Sequence, residues 1–178
     1  MVEKLILSPE DIAKILEKNA AKIYADIARA DNFGIIGVQT GGIEIASRLK
    51  KNIEKLSGRE IPFGILDITF YRDDIGKRKN LPLIKETRID FDISGMNILL
   101  VDDVIFTGRT TKAALETLTS FGRPSRIKLF NLVDRGNREL PIQPDYAGFK
   151  ISTSANEDIK VYLKDADETD AVYHMIPD

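Results

Sequence analysis

Residues 96–111 read MNILLVDDVIFTGRTT, and the order of residue types in this stretch decides the fold. The apolar run at 96–101 has the length and composition of a strand buried on both faces. It ends in two acids, Asp102 and Asp103, where a parallel strand leaves the core. Successive strand side chains point opposite ways, so the pair can reach separate hydroxyls or a metal carried by a ligand. Thr107, Gly108, Arg109, Thr110 and Thr111 follow, at the start of a helix expected over 109–121. Backbone N–H groups at a helix start lack intrahelical partners and favour an anion, typically phosphate. Gly108 lets the backbone come close, and the threonines add hydroxyl donors. A ribose 5-phosphate satisfies both halves, with its diol on the acids and its phosphate in the loop.

Working outward, the flanking sequence alternates helices and strands. Ser8, Pro9, Glu10 and Asp11 form a helix start, and the apolar spacing after them predicts one amphipathic helix over 9–29. FGIIGV (33–38) reads as a buried strand, broken by Gln39, Thr40, Gly41 and Gly42. A second helix is expected over 43–56, with Gly58 as its stop. Residues 61–71 read as a long strand and 126–133 as another, with short strands at 146–152, 158–163 and 171–176. The charged stretch 71–90 has no clear period and reads as a lid or binding loop. This alternation implies an α/β fold: a mainly parallel sheet flanked by helices, with a small hood made by the chain ends. One domain is expected to span residues 1–178. Ligands in such folds sit beyond the carboxyl ends of the strands. The turns QTGG, YRDD, VDDVIFTGRTT and VDRGNREL all follow predicted strands, so four polar turns can converge on one sheet edge.

Bulk composition narrows the chemistry. The 178 residues contain no cysteine and one histidine, His174. Disulfides and thiolate metal sites are excluded, and histidine triads disfavoured. His174 reads as a structural or surface residue. The net charge of −2 carries no bulk signal for nucleic acid, although a local basic patch is still allowed. The start MVEKLILSPED has no long apolar core and is not a signal peptide. No membrane span is expected, and a cytoplasmic protein is the default.

Other families with a similar stretch do not fit. A receiver domain also carries ILLVDD, but there it opens the domain, and only 75 residues follow Asp103 here. A Walker loop needs GK[ST], and a dinucleotide fingerprint needs GxGxxG; neither is present. A solvated turn capping a helix would not account for an apolar strand, an acid pair and a phosphate loop in this order. VDDVIFTGRTT resembles the phosphoribosyl-diphosphate motif of type I phosphoribosyltransferases. With DITFYRDD and LVDRGNREL, it is similar to the PyrR family, bifunctional pyrimidine-operon attenuation regulators with uracil phosphoribosyltransferase activity. The resemblance runs from about Leu7 to the end of the chain and is densest from Ile65 to Ile142.

That resemblance implies the type I phosphoribosyltransferase fold and transfer of 5-phosphoribosyl from phosphoribosyl diphosphate to uracil, giving UMP and pyrophosphate. Magnesium would be carried by the donor rather than held by a protein-only cage. Asp102 and Asp103 would hold the ribose hydroxyls, and Thr107, Gly108, Arg109, Thr110 and Thr111 the 5-phosphate. Gln39, Thr40, Gly41 and Gly42 match the pyrophosphate loop, although the family's usual basic residue, Thr, Arg, Gly is replaced. The two glycines can still offer N–H groups as a neutral nest. Arg72 would act in catalysis, with Lys77, Arg78 and Lys79 in a closing lid. Val133, Asp134 and Arg135 would recognise the base. A dimer or higher homo-oligomer is also implied.

Two further readings stay open. QTGG and PDYAGF look closer to hypoxanthine or guanine phosphoribosyltransferases. The family's second function, RNA binding, uses basic residues near the first helix and the base segment. Asn137 stands here for a usual histidine and Gln143 for a usual arginine, while Lys14, Lys18, Lys22, Arg138 and Lys150 remain.

Overall fold

Ser8 closes the first helix as a capping box. Its hydroxyl accepts the Asp11 N–H at 3.2 Å, and the Asp11 carboxylate accepts the Ser8 N–H at 3.0 Å. These backbone and hydroxyl hydrogen bonds from Ser8 hold the Asp11 carboxyl below its usual range. The computed structural model describes residues 2–68, 86–164 and 167–177. Strand β1 spans Val2–Leu7, α1 Pro9–Ile23, β2 Phe33–Val38, α2 Gly41–Ser57 and β3 Phe63–Leu66. They are followed by β4 at Asn97–Ile105, α3 at Arg109–Thr119, β5 at Arg126–Asp134, β6 at Tyr146–Lys150, β7 at Asp158–Tyr162 and β8 at Ala171–Ile176.

The main sheet has five strands in the order β3-β2-β4-β5-β6, and every pair is parallel. Its strands are apolar on both faces because both faces are covered. Ile12, Leu16 and Ile23 of α1 and Ile45, Leu49 and Ile53 of α2 pack against Ile35, Leu99, Val101 and Phe130 on one face. On the other face Ala113, Ala114 and Leu118 of α3 meet Ile36, Ile98, Leu100 and Leu129. Each fully buried Ile or Leu side chain contributes about 1.5–3 kcal/mol, so these two layers supply the main stabilisation. The chain ends form a separate antiparallel sheet, β1-β8-β7, which is the expected hood. Arg48 of α2 grips Asp170, just before β8, at 2.5 and 3.0 Å. That bidentate hydrogen bond holds the Asp170 carboxyl below its ordinary range.

Four boundaries depart from the sequence reading. The expected helix over 9–29 is α-helical to Ile23 and continues as one π-helical turn, Tyr24–Ala28. Of the strand expected over 61–71, the described part, 61–68, is strand over Phe63–Leu66, and 69–71 lie outside the described residues. β1 was not expected at all; its partners lie at the far end of the chain, as in Val2↔Ile176. Most relevant to function, β4 does not end before the acids but runs through them to Ile105. Its ladder with β2 stops at Gly37↔Val101, while its ladder with β5 continues from Asp102↔Asn131 to Ile105↔Asp134. Asp102 and Asp103 therefore lie inside a strand on one side and past its partner on the other. No helix among the described residues is long and apolar enough to cross a membrane.

Candidate active site

The strand order itself places the site. β2 leads through α2 to β3 on one side, and β4 leads through α3 to β5 on the other. The direction in which successive strands are added reverses between the parallel strands β2 and β4, and such a switch point opens a crevice at their carboxyl ends. Residues 39–42 leave β2 at this crevice, and Asp102 and Asp103 lie beside it in β4.

The two segments touch. A Cβ built on Gly41 would lie 2.3 Å from Asp103 Oδ2, and one on Gly42 would lie 2.4 Å from the Val101 carbonyl oxygen. Both glycines are therefore required by close approach. Gly42 lets the first turn of α2 settle on the β4 backbone, and Gly41 admits the Asp103 carboxylate against the turn. The Gln39–Thr40 peptide is cis. Thr40 is exposed and Gln39 half-buried, so this turn faces the crevice. Asp102 is 6% exposed, and its Oδ1 accepts the Asp103 N–H at 3.0 Å. Asp103 repeats the arrangement with the Val104 N–H at 2.7 Å. Each carboxylate is thus oriented by the backbone immediately after it.

The loop after β4 carries the residues expected to meet a phosphate, and its backbone turns at a glycine. Gly108 occupies the N-cap of α3 at φ 91°, a conformation that disfavours any side chain. The N-cap glycine has no side chain with which to cap this helix end, and first-turn N–H groups of a helix lack intrahelical partners. Thr107 Oγ1 accepts the Arg109 N–H at 3.3 Å, Thr110 is half-buried and Thr111 buried. Arg109 reaches sideways to Glu139 at 2.7 Å.

That loop is sewn to the segment after β5. The N–H groups of Glu139 and Leu140 donate to the Thr107 carbonyl at 3.0 and 3.2 Å. Arg138 donates to the Phe106 carbonyl at 2.8 Å and to Asp134 at 2.6 Å. Its side chain is 11% exposed, so Arg138 is turned inward and leaves the basic surface to which the sequence assigned it. Lys14, Lys18 and Lys22 do lie on the exposed face of α1, and Lys150 is exposed.

Of the three expected base-recognition residues, Val133 is fully buried, while Asp134 and Arg135 are 9% and 5% exposed. Arg135 stacks over the Phe106 ring at 4.0 Å. It donates to Thr153 Oγ1 at 3.1 Å, to Asp158 at 2.8 Å and to the Glu157 carbonyl. Its guanidinium thus binds the hood to the phosphate loop. Glu157 also meets His174 at 3.1 Å. The Ser154 N–H first, and His174 second, keep the Glu157 carboxyl below its usual range. A cavity of about 220 Å³ opens beside Asp134 and Gly136, walled by Lys150, Ile151 and Ser152. The sequence reading did not place Lys150 there. The signal was the parallel register Asp134↔Lys150, which carries the end of β6 to the same edge as the base turn. Arg72, Lys77, Arg78 and Lys79 lie outside the described residues.

Comparison with known proteins agrees with this geometry. The model of the phosphoribosyl transferase domain matches residues 4–166. A Bifunctional protein PyrR from Deinococcus radiodurans is 46% identical over 173 residues, covering 97% of this chain and 94% of the relative. The protein of the same name from Elusimicrobium minutum is 43% identical, covering 98% of each chain. Among solved structures, a hypoxanthine-guanine phosphoribosyltransferase from Bacillus anthracis superposes with a TM-score of 0.74 at 19% identity, covering 99% of this chain and all of that one. A hypoxanthine phosphoribosyltransferase from Staphylococcus aureus gives 0.73 at 20% identity, covering 98% and 93%. At such identities these structures speak for the fold alone. A turn that meets an acid pair at the switch point, and a helix N-terminus open to an anion, fit the family that the sequence comparison gives: this chain is a type I phosphoribosyltransferase of the PyrR family.

Proposed function

We propose that this protein transfers 5-phosphoribosyl from phosphoribosyl diphosphate to uracil, forming UMP and pyrophosphate. The observation that carries the reading is the contact between Gly41 and Asp103. It sets a turn able to present N–H groups to a diphosphate directly against the acids that suit a ribose diol. In this reading Asp102 and Asp103 hold the two ribose hydroxyls, and the 107–111 loop grips the 5-phosphate. Residues 39–42 receive the leaving diphosphate, and Arg72, outside the described residues, is the catalytic cation this reading assigns. The base nitrogen forms its bond to the anomeric carbon as the bond from that carbon to the diphosphate oxygen breaks. The proton on the base nitrogen passes to solvent. Holding the reactants in line is the main work of such a site.

Among the described residues, no cluster of three or more His, Asp or Glu side chains is placed to hold a metal. Magnesium favours one or two carboxylates together with substrate phosphates. The Asp102–Asp103 pair fits an ion that arrives on the donor's diphosphate. When bound, magnesium neutralises charge on the leaving group.

For the base, the Arg135 guanidinium is engaged with the hood and the Arg135 main-chain N–H donates to the Ile105 carbonyl at 3.1 Å, so this reading gives base recognition to other groups beside the cavity. Lys150 beside the cavity suits a carbonyl-bearing edge, which uracil and hypoxanthine share. The preference for uracil therefore rests on the PyrR relatives. Steady-state assays with uracil, hypoxanthine and guanine at saturating magnesium donor test it. Uracil should give a kcat/KM at least tenfold above either purine. Ready purine nucleotide formation without UMP would overturn the reading.

A second activity, binding of pyrimidine-operon leader RNA, is supported by the relatives' description as bifunctional and by Lys14, Lys18 and Lys22 on one exposed helix face. Phosphate contacts dominate RNA affinity and weaken with salt. Replacing all three lysines by glutamine should weaken leader binding at least tenfold at low salt and flatten its salt dependence. Absence of leader binding by the unmodified protein at low salt, with and without UMP, would remove this activity.

A further inference from the structure

Main-chain pairing between β5 and β6 ends beside the cavity at Asp134. Their register runs to Asp134↔Lys150, and the Ile151 N–H donates to the Asp134 carbonyl at 2.9 Å. Residues at and after both strand ends then line the cavity of about 220 Å³: Asp134 and Gly136 form one wall, and Lys150, Ile151 and Ser152 the other. Where the ladder stops, side chains take over the join. Asn137 Nδ2 donates to the Thr153 carbonyl at 2.5 Å, and Arg135 Nε donates to Thr153 Oγ1 at 3.1 Å. Thr153 directly follows the lining residue Ser152, and Arg135 and Asn137 stand on either side of the lining residue Gly136. Two hydrogen bonds from one wall therefore converge on a single residue at the end of the other.

The backbone at Asn137 gives a second, independent observation. Its φ is 54°, and among the described residues no other non-glycine residue has a positive φ. Gly136 just before it has φ 71°. Glycine takes this conformation without steric cost, and asparagine is one of the few other residues that tolerate it. A turn with no further task would be least strained with a second glycine. The side chain present here instead is the one that reaches Thr153. Thr153 is 8% exposed, and its neighbour is fixed from the hood side. The Ser154 N–H donates to the Glu157 carboxylate at 2.7 Å, which His174 meets at 3.1 Å. The acceptor is thus anchored, and the 135–137 segment is drawn to it.

We infer that Asn137 and Thr153 are positioning residues for the nucleobase, their hydrogen bond and that from Arg135 forming a clasp that fixes the separation of the two cavity walls. The inference rests on the reading of this cavity as the base site given above. Neither residue is assigned a contact with substrate. Both act through the walls, on the side of the acceptor and away from the acids of β4. Opening the clasp therefore weakens capture of the base and leaves the hold on the donor unchanged.

The test is steady-state kinetics on the full chain at saturating magnesium phosphoribosyl diphosphate, varying whichever of uracil, hypoxanthine and guanine the unmodified protein uses, with donor affinity measured by calorimetry. Asn137→Asp keeps the shape and the tolerance of left-handed backbone but accepts hydrogen bonds only. Thr153→Val keeps the shape and loses the hydroxyl. Each should raise KM for the base about fivefold, the worth of one hydrogen bond, and leave kcat and donor affinity within about twofold of the unmodified values. Thr153→Ser, which keeps the oxygen, should restore the original KM. A role in folding alone would lower the unfolding midpoint without moving KM. Two variants on opposite walls guard against a failure of either to fold. An unchanged KM in both would overturn the inference, as would an equal loss of donor affinity, which marks a general loosening of the site. Absence of turnover with every base would remove the base-site reading and the inference with it, so the two failures are distinguishable.

Discussion

Replacing Asp102 and Asp103 together by asparagine should leave the protein folded and reduce its affinity for magnesium phosphoribosyl diphosphate by about a thousandfold, whatever base is offered. The fold should survive because asparagine is close in shape and keeps a side-chain oxygen. The Asp103 and Val104 N–H groups now donate to one oxygen of each carboxylate, at 3.0 and 2.7 Å, and an amide oxygen can accept them. Donor binding should fail because hydrogen bonds to a charged group contribute roughly 1.5–3 kcal/mol each. Two such groups lost together amount to about 3–6 kcal/mol, and about 4 kcal/mol within that range is a thousandfold. Calorimetry of the double variant, with circular dichroism to show that it is folded, checks this. Donor affinity within threefold of the original would mean that the acids are not the ribose site.

The second large effect separates two adjacent glycines. Gly41→Ala and Gly42→Ala are the same chemical change, one residue apart, at the start of α2. In an open helix the change from glycine stabilises by about 1 kcal/mol. Here neither should. The added methyl at Gly41 would meet the side chain of Asp103, at 2.3 Å from Oδ2 and 2.7 Å from Cγ. The carboxylate can swing aside while the Asp103 Cβ, at 2.9 Å, needs only a slight shift, so the fold should lose less than at Gly42 while the acid is displaced from its working position. Misplacement of a reacting group by about 1 Å can cost on the order of a hundredfold, and kcat/KM should fall by that much or more. The methyl at Gly42 would instead meet main chain, at 2.4 Å from the Val101 oxygen and 3.0 Å from the Asp102 Cα. Backbone in the centre of a parallel sheet cannot swing, so α2 must lift, at about 1–3 kcal/mol. Gly41→Ala should thus be a stable, poorly active enzyme, and Gly42→Ala an unstable one. Chemical denaturation and steady-state assays on both variants test the contrast. A fully active Gly41→Ala would show that the turn and Asp103 do not work together.

The segment proposed to hold the donor was legible in sequence because it is local. An apolar strand, two acids and a helix start follow one another without a break, so no knowledge of distant partners is needed to place them side by side. What escaped depended on pairing across the chain. The strand carrying the acids was read as ending at Val101 because Asp102 and Asp103 look like a turn; only the ladder to β5 shows that it continues to Ile105. β1 was missed because its alternation is weak, and its strand character comes from β8, almost the whole chain away. Arg135 lies next to Asp134 in sequence, but its guanidinium belongs to Thr153, Asp158 and Glu157, which nothing local predicts.

The stitching of the 107–111 loop to residues 135–142 has a thermodynamic consequence. A free loop that must become rigid around a phosphate gives up about 1–2 kcal/mol of backbone entropy for every residue it orders. Here the Thr107 carbonyl already accepts two N–H groups, the Phe106 carbonyl accepts Arg138, and the Phe106 ring lies under Arg135. The loss of freedom is therefore incurred once, when the polypeptide folds. It does not recur at each turnover, and the attraction between loop and phosphate is left to act on the ligand.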